Sequence, residues 1–135
     1  MTRPPGLGDA PIVDTPRLRC DGREEAEVTT FRFAGAILAE DWRAIRALYS
    51  PLTGISGGGC LLDLLAVTGF DSTLYSLLVW TRLTRERHGT RFAVLAGPAV
   101  RHRLSHAGIG RWLALSSDRA AARAALLEPV EAGRG

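Results

Sequence analysis

Between Cys60 and Val67 the chain is apolar at every position except Asp63, and shortly afterwards it stops at Asp71-Ser72-Thr73 and changes period. A short continuous apolar run bounded by glycines upstream and polar residues downstream fits a strand covered on both faces. Two covered faces demand a layer of structure on each side, so the chain is constrained towards an α/β fold. A helical pattern follows from Ser72 to about His88, basic near its end and closed by Gly89 as the C′ residue. A hydroxyl at this junction sits where backbone amides and the helix dipole favour added negative charge. Ser and Asp are equally the ordinary residues for starting a helix. Ser72 therefore reads either as an N-cap or as a phosphate acceptor.

The remaining segments complete the α/β reading. Ile12 to Cys20 is expected as a first strand that Pro16 confines to an edge. Asp21-Gly22 signals a turn, which Arg23-Glu24-Glu25 lengthens into a loop. Glu27 to Phe33 alternates and is rich in β-branched and aromatic residues, predicting a half-buried strand that Gly35 ends. Leu38, Trp42, Ile45, Leu48 and Tyr49 recur at helical spacing, with Glu40 and Asp41 in the first turn and Pro51 and Gly54 as terminators. Gly57-Gly58-Gly59 reads as a connector. After the central helix, Arg91 to Ala96 predicts a strand, Pro98 to about Ala107 a helix ended by Gly108, and Arg111 to Leu115 a last strand. Ser117 then caps an Ala-rich helix to Leu127. The order β-β-α-β-α-β-α-β-α implies a mixed sheet with flanking helices and parallel later strands. Residues 1–11, with three Pro and two Gly, are expected as a flexible tail, 12–127 as the domain, and 128–135 as a second tail.

Composition narrows the class. At 135 residues there is length for one modest core, and 46% hydrophobic with 23% charged residues is ordinary for a soluble globular protein. The net charge of +3 is small, every basic residue is Arg, and these are scattered without aromatic interleaving, which argues against direct nucleic-acid binding. Cys20 and Cys60 make no disulfide framework and no metal-ligand spacing, and read as thiols in a reducing compartment. No apolar leader follows Met1, and the longest mostly apolar stretch, Leu74 to Trp80, is far short of a bilayer span. A cytoplasmic protein with no membrane association is expected.

Two constellations hint at chemistry and fail on context. Gly54-Ile55-Ser56-Gly57-Gly58 matches the esterase pattern Gly-x-Ser-x-Gly, but that motif needs a strand before the Ser and a helix after it, the reverse of the order here. The same glycines lack the Lys-Ser/Thr of a phosphate-binding loop. His102 and His106 stand four apart on one helix face, without a Glu after the first or an evident third ligand, and read as surface histidines. Arg101, Arg103 and Arg111 read as a solvated face, and Asp63 as a structural hydrogen-bonding group.

The combination resembles a STAS domain, the fold of anti-sigma factor antagonists. The residues that carry the likeness are Asp63-Leu64, six intervening positions, and Asp71-Ser72-Thr73 opening a helix. Phe92 to Gly97, then Pro98-Ala99-Val100-Arg101 with Leu104 and Gly108-Ile109, resembles the next strand and helix of that family. Ser117-Asp118-Arg119 with the following Ala-rich segment resembles its last helix, so the likeness covers about residues 17–127. Two positions depart from the pattern. Leu74 stands where the family has a Gly opening the helix, and Gly35-Ala36-Ile37-Leu38 replaces Gly-Glu-Leu-Asp, losing the family acid.

The resemblance implies a protein-binding regulator without catalytic activity or an obligatory cofactor. Its partner would be an anti-sigma factor that is also a serine kinase of the histidine-kinase-like ATPase type, with Ser72 as acceptor, Thr73 as fallback and Asp71 as partner contact or helix cap. The alternative is a divergent STAS scaffold or ligand-sensing module without phosphorylation, favoured by Leu74 and the missing acid. Projection at 100° per residue puts Tyr75, Leu78 and Val79 on one face of the central helix and Leu74, Leu77 and Trp80 on another. A surface helix needs only one apolar stripe. The Leu74-Leu77-Trp80 ridge is thus expected as surplus surface for a partner or for a homodimer, or else as buried under a neighbouring helix or the N-terminal tail.

Overall fold

The computed structural model describes residues 10–25, 27–53, 58–110 and 113–127; the expected tails at 1–9 and 128–135, the Gly54–Gly57 stretch with Ser56, and Arg111-Trp112 lie outside them. A six-stranded mixed sheet runs in chain order from edge to edge. Its strands are β1 (Val13–Asp14), β2 (Leu18–Glu25), β3 (Val28–Ile37), β4 (Gly59–Phe70), β5 (Arg91–Leu95) and β6 (Leu115–Ser116). The pairs β1–β2 and β2–β3 are antiparallel, and β3 to β6 are mutually parallel. The crossovers are α1 (Trp42–Ile45) with α2 (Tyr49–Thr53), then α3 (Ser72–Arg87) and α4 (Pro98–His106), and α5 (Arg119–Leu127) closes the chain.

Alternation along the strands sorts residues to two faces. Phe31 and Phe33, with Cys60, Leu62 and Leu64 and with Phe92 and Val94, point to the main core, which Ile45, Leu48, Leu52, Leu74, Leu77, Leu78, Val100 and Leu104 complete from the helices. On the opposite face Val28, Leu61, Ala93 and Leu95 meet Ala122 and Leu126 of α5. The central strand is therefore sandwiched, as its apolar run requires. Cys20 and Cys60 are buried free thiols, and burial pushes Cys60 up to about 12, so neither is a nucleophile at neutral pH.

Several sequence expectations are corrected. The first strand is two: Thr15-Pro16-Arg17 makes a turn in which Thr15 N donates to Leu18 O (2.8 Å) and Thr15 Oγ1 accepts from Leu18 N (3.0 Å). Pro16 sits in that turn, where its fixed φ is useful. Asp21-Gly22 is not a turn but mid-strand, pairing with Arg32 and Phe31, because alternation carries Leu18, Cys20 and Gly22 inward through the supposed break. The reversal falls between Glu25 and Val28. The helix expected from Ala39 is a chain of short pieces, with 3-10 turns at Ala39–Asp41 and Arg46–Leu48 between α1 and α2. Pro51 lies in the first turn of α2, where its missing N–H costs nothing, rather than ending a helix. Gly59 belongs to β4, β6 is only Leu115–Ser116, and the cap of α5 is Asp118, whose Oδ1 accepts from Ala120 N at 3.0 Å, not Ser117.

Gly35 does not end β3, which continues to Ile37; it is the point where the register against β4 slips. Its φ is +107°, and a Cβ there would come far inside van der Waals contact with Arg17 O, the carbonyl that accepts from Ala36 N (2.9 Å). Only glycine meets both demands. Gly35→Ala is expected to lower unfolding free energy by on the order of 3 kcal/mol. Urea denaturation checks this, and a loss below the range of an ordinary surface substitution contradicts it.

Candidate functional site

Because β3 and β4 are parallel, their C-terminal ends emerge together, with Ile37 opposite Phe70. Asp71 joins the two exits. Its N donates to Ile37 O (3.2 Å), its Oδ2 accepts from Ala39 N (2.9 Å), and its Oδ1 accepts from Thr73 N (2.8 Å). The last of these is an N-cap bond to α3, made from extended backbone at φ −118°. The Ala39 N–H first, and Thr73 second, hold the Asp71 carboxyl below the usual carboxylate range.

Ser72 is exposed at the first helical position, and among the described residues its hydroxyl makes no hydrogen bond. Capping thus falls to Asp71, and the reading of Ser72 as N-cap is overturned. Thr73, the other expected acceptor, is buried at 7% exposure and its N–H donates to Asp71 Oδ1, so its hydroxyl is covered where that of Ser72 is open.

The expected surface ridge is also corrected. Leu74 and Leu77 are fully buried, and the buried positions of α3 form one stripe through Thr73, Leu74, Leu77, Leu78, Thr81, Thr84 and Arg85. The two faces drawn from the sequence are flanks of that single stripe. Leu74, at the place of the family Gly, turns its bulk into the core and leaves the approach to Ser72 clear. Trp80 alone of the three lies partly outside, its ring edge-on to Tyr49 at 4.4 Å between centroids.

Other groups brace the junction. The Arg103 guanidinium lies over the Phe70 ring (3.7 Å to the centroid) and its Nη2 donates to Phe70 O (3.2 Å). It is not simply part of a solvated face. Arg17 grips Asp41 with a two-pronged bond (Nε to Oδ2 3.2 Å, Nη2 to Oδ1 3.1 Å), anchoring the turn that follows Ala39. These partners lie 33 and 24 residues apart, and no local pattern announces them. At the C-terminal end of α3, the buried Arg85 donates to Leu52 O (2.7 Å), tying α3 to α2.

Asp63 is structural. Its side chain is 2% exposed, accepts from Arg119 Nη2 (2.6 Å) and Leu65 N (3.0 Å), and faces Arg32 Nε at 3.4 Å. The bond to Leu65 N spans the first register slip of β4 against β3, which brings Leu65 and Ala66 both to the surface. His102 and His106 are exposed with rings stacked at 6.1 Å, and among the described residues no three metal-ligating side chains gather.

Asp71→Ala is expected to destabilise by about 1–2 kcal/mol at neutral pH. The folded pKa is depressed, so this stabilisation is complete above the ordinary Asp value of about 3.9 and fades as pH falls through the folded value. The gap between wild type and variant in denaturant titrations should therefore narrow below about pH 4; a pH-independent gap contradicts the ionised cap.

No protein-family model and no curated protein sequence matches the chain. Solved structures do. An anti-sigma factor antagonist from Mycobacterium paratuberculosis superposes with a TM-score of 0.76 at 21% identity, over 86% of this chain and 100% of that one. The anti-sigma factor antagonist SpoIIAA in its unphosphorylated form superposes with a TM-score of 0.61 at 17% identity, over 76% of this chain and 91% of that one. With the sheet order, the parallel β3–β6 block and the Asp71–Ser72 junction, these likenesses establish that the chain has the STAS-like fold of the anti-sigma factor antagonists.

Proposed function

We propose that the protein is an anti-sigma factor antagonist of the STAS family, a bacterial regulator of transcription that works by binding another protein rather than by catalysis. The observation that carries this reading is the exposed Ser72 hydroxyl at the start of a 16-residue helix whose cap is already supplied by Asp71. The partner in this reading is an anti-sigma factor with serine-kinase activity of the histidine-kinase-like ATPase type, met in the cytoplasm. No helix among the described residues is long and apolar enough to cross a membrane, which is compatible with that setting.

The switch is electrostatic. Phosphate on Ser72 adds about −1.5 to −2 charges at neutral pH. The amides of the first turn and the helix dipole tolerate that charge, so the fold survives. Asp71 already supplies a negative charge beside it, so the cost falls on any partner surface that must close over both groups. Each ~1.4 kcal/mol of such cost weakens binding tenfold. Burial of Leu74 supports the switch, since the substitution does not obstruct Ser72. A scaffold without phosphorylation retains only the missing acid of the Gly35-Ala36-Ile37-Leu38 stretch in its favour.

Incubation with ATP and the candidate kinase, followed by mass spectrometry, is expected to place a single phosphate on Ser72 and none on Thr73. Ser72→Asp should weaken kinase binding at least tenfold, and Ser72→Ala should bind but remain unmodified. Tight binding to the kinase with no modification of Ser72 sinks the switch and leaves the scaffold.

A further inference from the structure

A second surface lies along α1, α2 and α3, where Trp80 and Leu83 stand eight and eleven residues beyond Ser72. Trp42 of α1 meets Tyr49 of α2 edge-on at 5.8 Å between centroids, and Tyr49 meets Trp80 of α3 at 4.4 Å, so three rings from three helical segments form a continuous row. Trp42 is 41% exposed and Leu83, one turn beyond Trp80 on α3, is 46% exposed. These are two of the four large hydrophobic side chains exposed among the described residues. Aromatic residues framed by arginine are the usual composition of a binding hot spot.

The charge around the row has one sign to spare. Arg46 falls between Trp42 and Tyr49 at spacings of four and three, and Arg87 lies four beyond Leu83. Both are exposed and neither makes an ion pair among the described residues. The neighbouring acids are committed: Glu40 to Arg17 (3.7 Å) and Glu86 to Arg82 (3.4 Å). An apolar strip flanked by unpaired cations complements an apolar strip flanked by acids.

We propose that the Trp42–Tyr49–Trp80 row, with Leu83, Arg46 and Arg87, docks an acidic amphipathic helix of a partner protein. The row supplies the apolar floor for residues at i, i+3, i+4 and i+7 of that helix, and the two arginines meet glutamate or aspartate on its flanks. The surface goes beyond the Ser72 switch and does not depend on phosphate there.

The test uses the full chain and a synthetic amphipathic peptide with leucines at that spacing and glutamates between them. A second peptide carries lysine at every glutamate position. Calorimetry should show the acidic peptide binding at least tenfold more tightly than the basic one. Arg46→Glu combined with Arg87→Glu should reverse the preference, and Trp42→Ala should weaken the acidic peptide about tenfold. All three positions are exposed, so circular dichroism should remain that of the wild type. Equal affinity for the two peptides, or no binding of either, overturns the proposal. Self-association that Trp42→Ala abolishes makes a second copy the occupant instead. Binding that appears only after removal of residues 1–9 makes that segment the occupant. Either result also overturns the proposal. Ser72→Asp should leave the peptide affinity unchanged, so this surface and the phosphate switch stand or fall separately.

Discussion

The carboxylate of Asp71 is the group on which the junction at the C-terminal ends of β3 and β4 depends. One oxygen caps α3 through Thr73 N and the other holds Ala39 N, where the chain leaves β3 for its first crossover. Two elements that parallel pairing merely brings near are thereby fixed to each other at hydrogen-bond precision. Capping alone requires only one oxygen. The second bond turns a helix start into a junction, with Arg103 on Phe70 bracing it from α4 and Arg17 on Asp41 bracing the turn beyond Ala39. Ionisation strengthens both Asp71 bonds, because a charged acceptor makes a shorter and stronger hydrogen bond than a neutral one.

The same arrangement leaves the Ser72 hydroxyl free of a capping bond. A serine that caps a helix has its hydroxyl engaged by an orphan amide and is structurally employed. Asp71 relieves Ser72 of that task, which leaves an exposed hydroxyl on a rigid platform. Leu74 completes the separation of roles. Its side chain serves the core, and its backbone serves the first turn. A substitution that looks disruptive in the linear motif is accommodated because the position faces inward.

What the sequence made legible follows from range. The apolar run of β4, the period of α3 and its Gly89 terminus, and the Pro98 start of α4 are local patterns, and all four were readable. The hairpin at Thr15-Pro16-Arg17 was missed because a two-residue strand has too few alternations to register. Gly22 and Gly35 misled because glycine marks both turns and close approaches; at Gly35 the cause is the Arg17 carbonyl, distant in sequence. The helical period around Trp42 was real, but it resolved into short pieces rather than one helix. At the site, Asp71-Ser72 was visible as a motif, whereas the choice of Asp71 over Ser72 as the cap depends on Ala39, 32 residues away.

The ridge on α3 illustrates how a one-dimensional projection divides what packing unites. Leu77 and Leu74 straddle the stripe centre and Leu78 lies further round on the Leu74 side, so a line drawn between Leu74 and Leu78 makes one stripe look like two faces. In the fold α3 packs its leucines into the main core and is tied to α2 through Arg85 and Leu52 O, so the covered arc is wider than one flat contact gives. Trp80 lies at the margin of that arc, which is why it is neither core nor free. Its ring packs against Tyr49, and the exposed Leu83 follows three residues on. An aromatic at such a margin contributes to stability and is also available at the surface. The apolar excess of α3 is thus real, but it resides at Trp80 and Leu83, one flank away from where helical periodicity alone would put it.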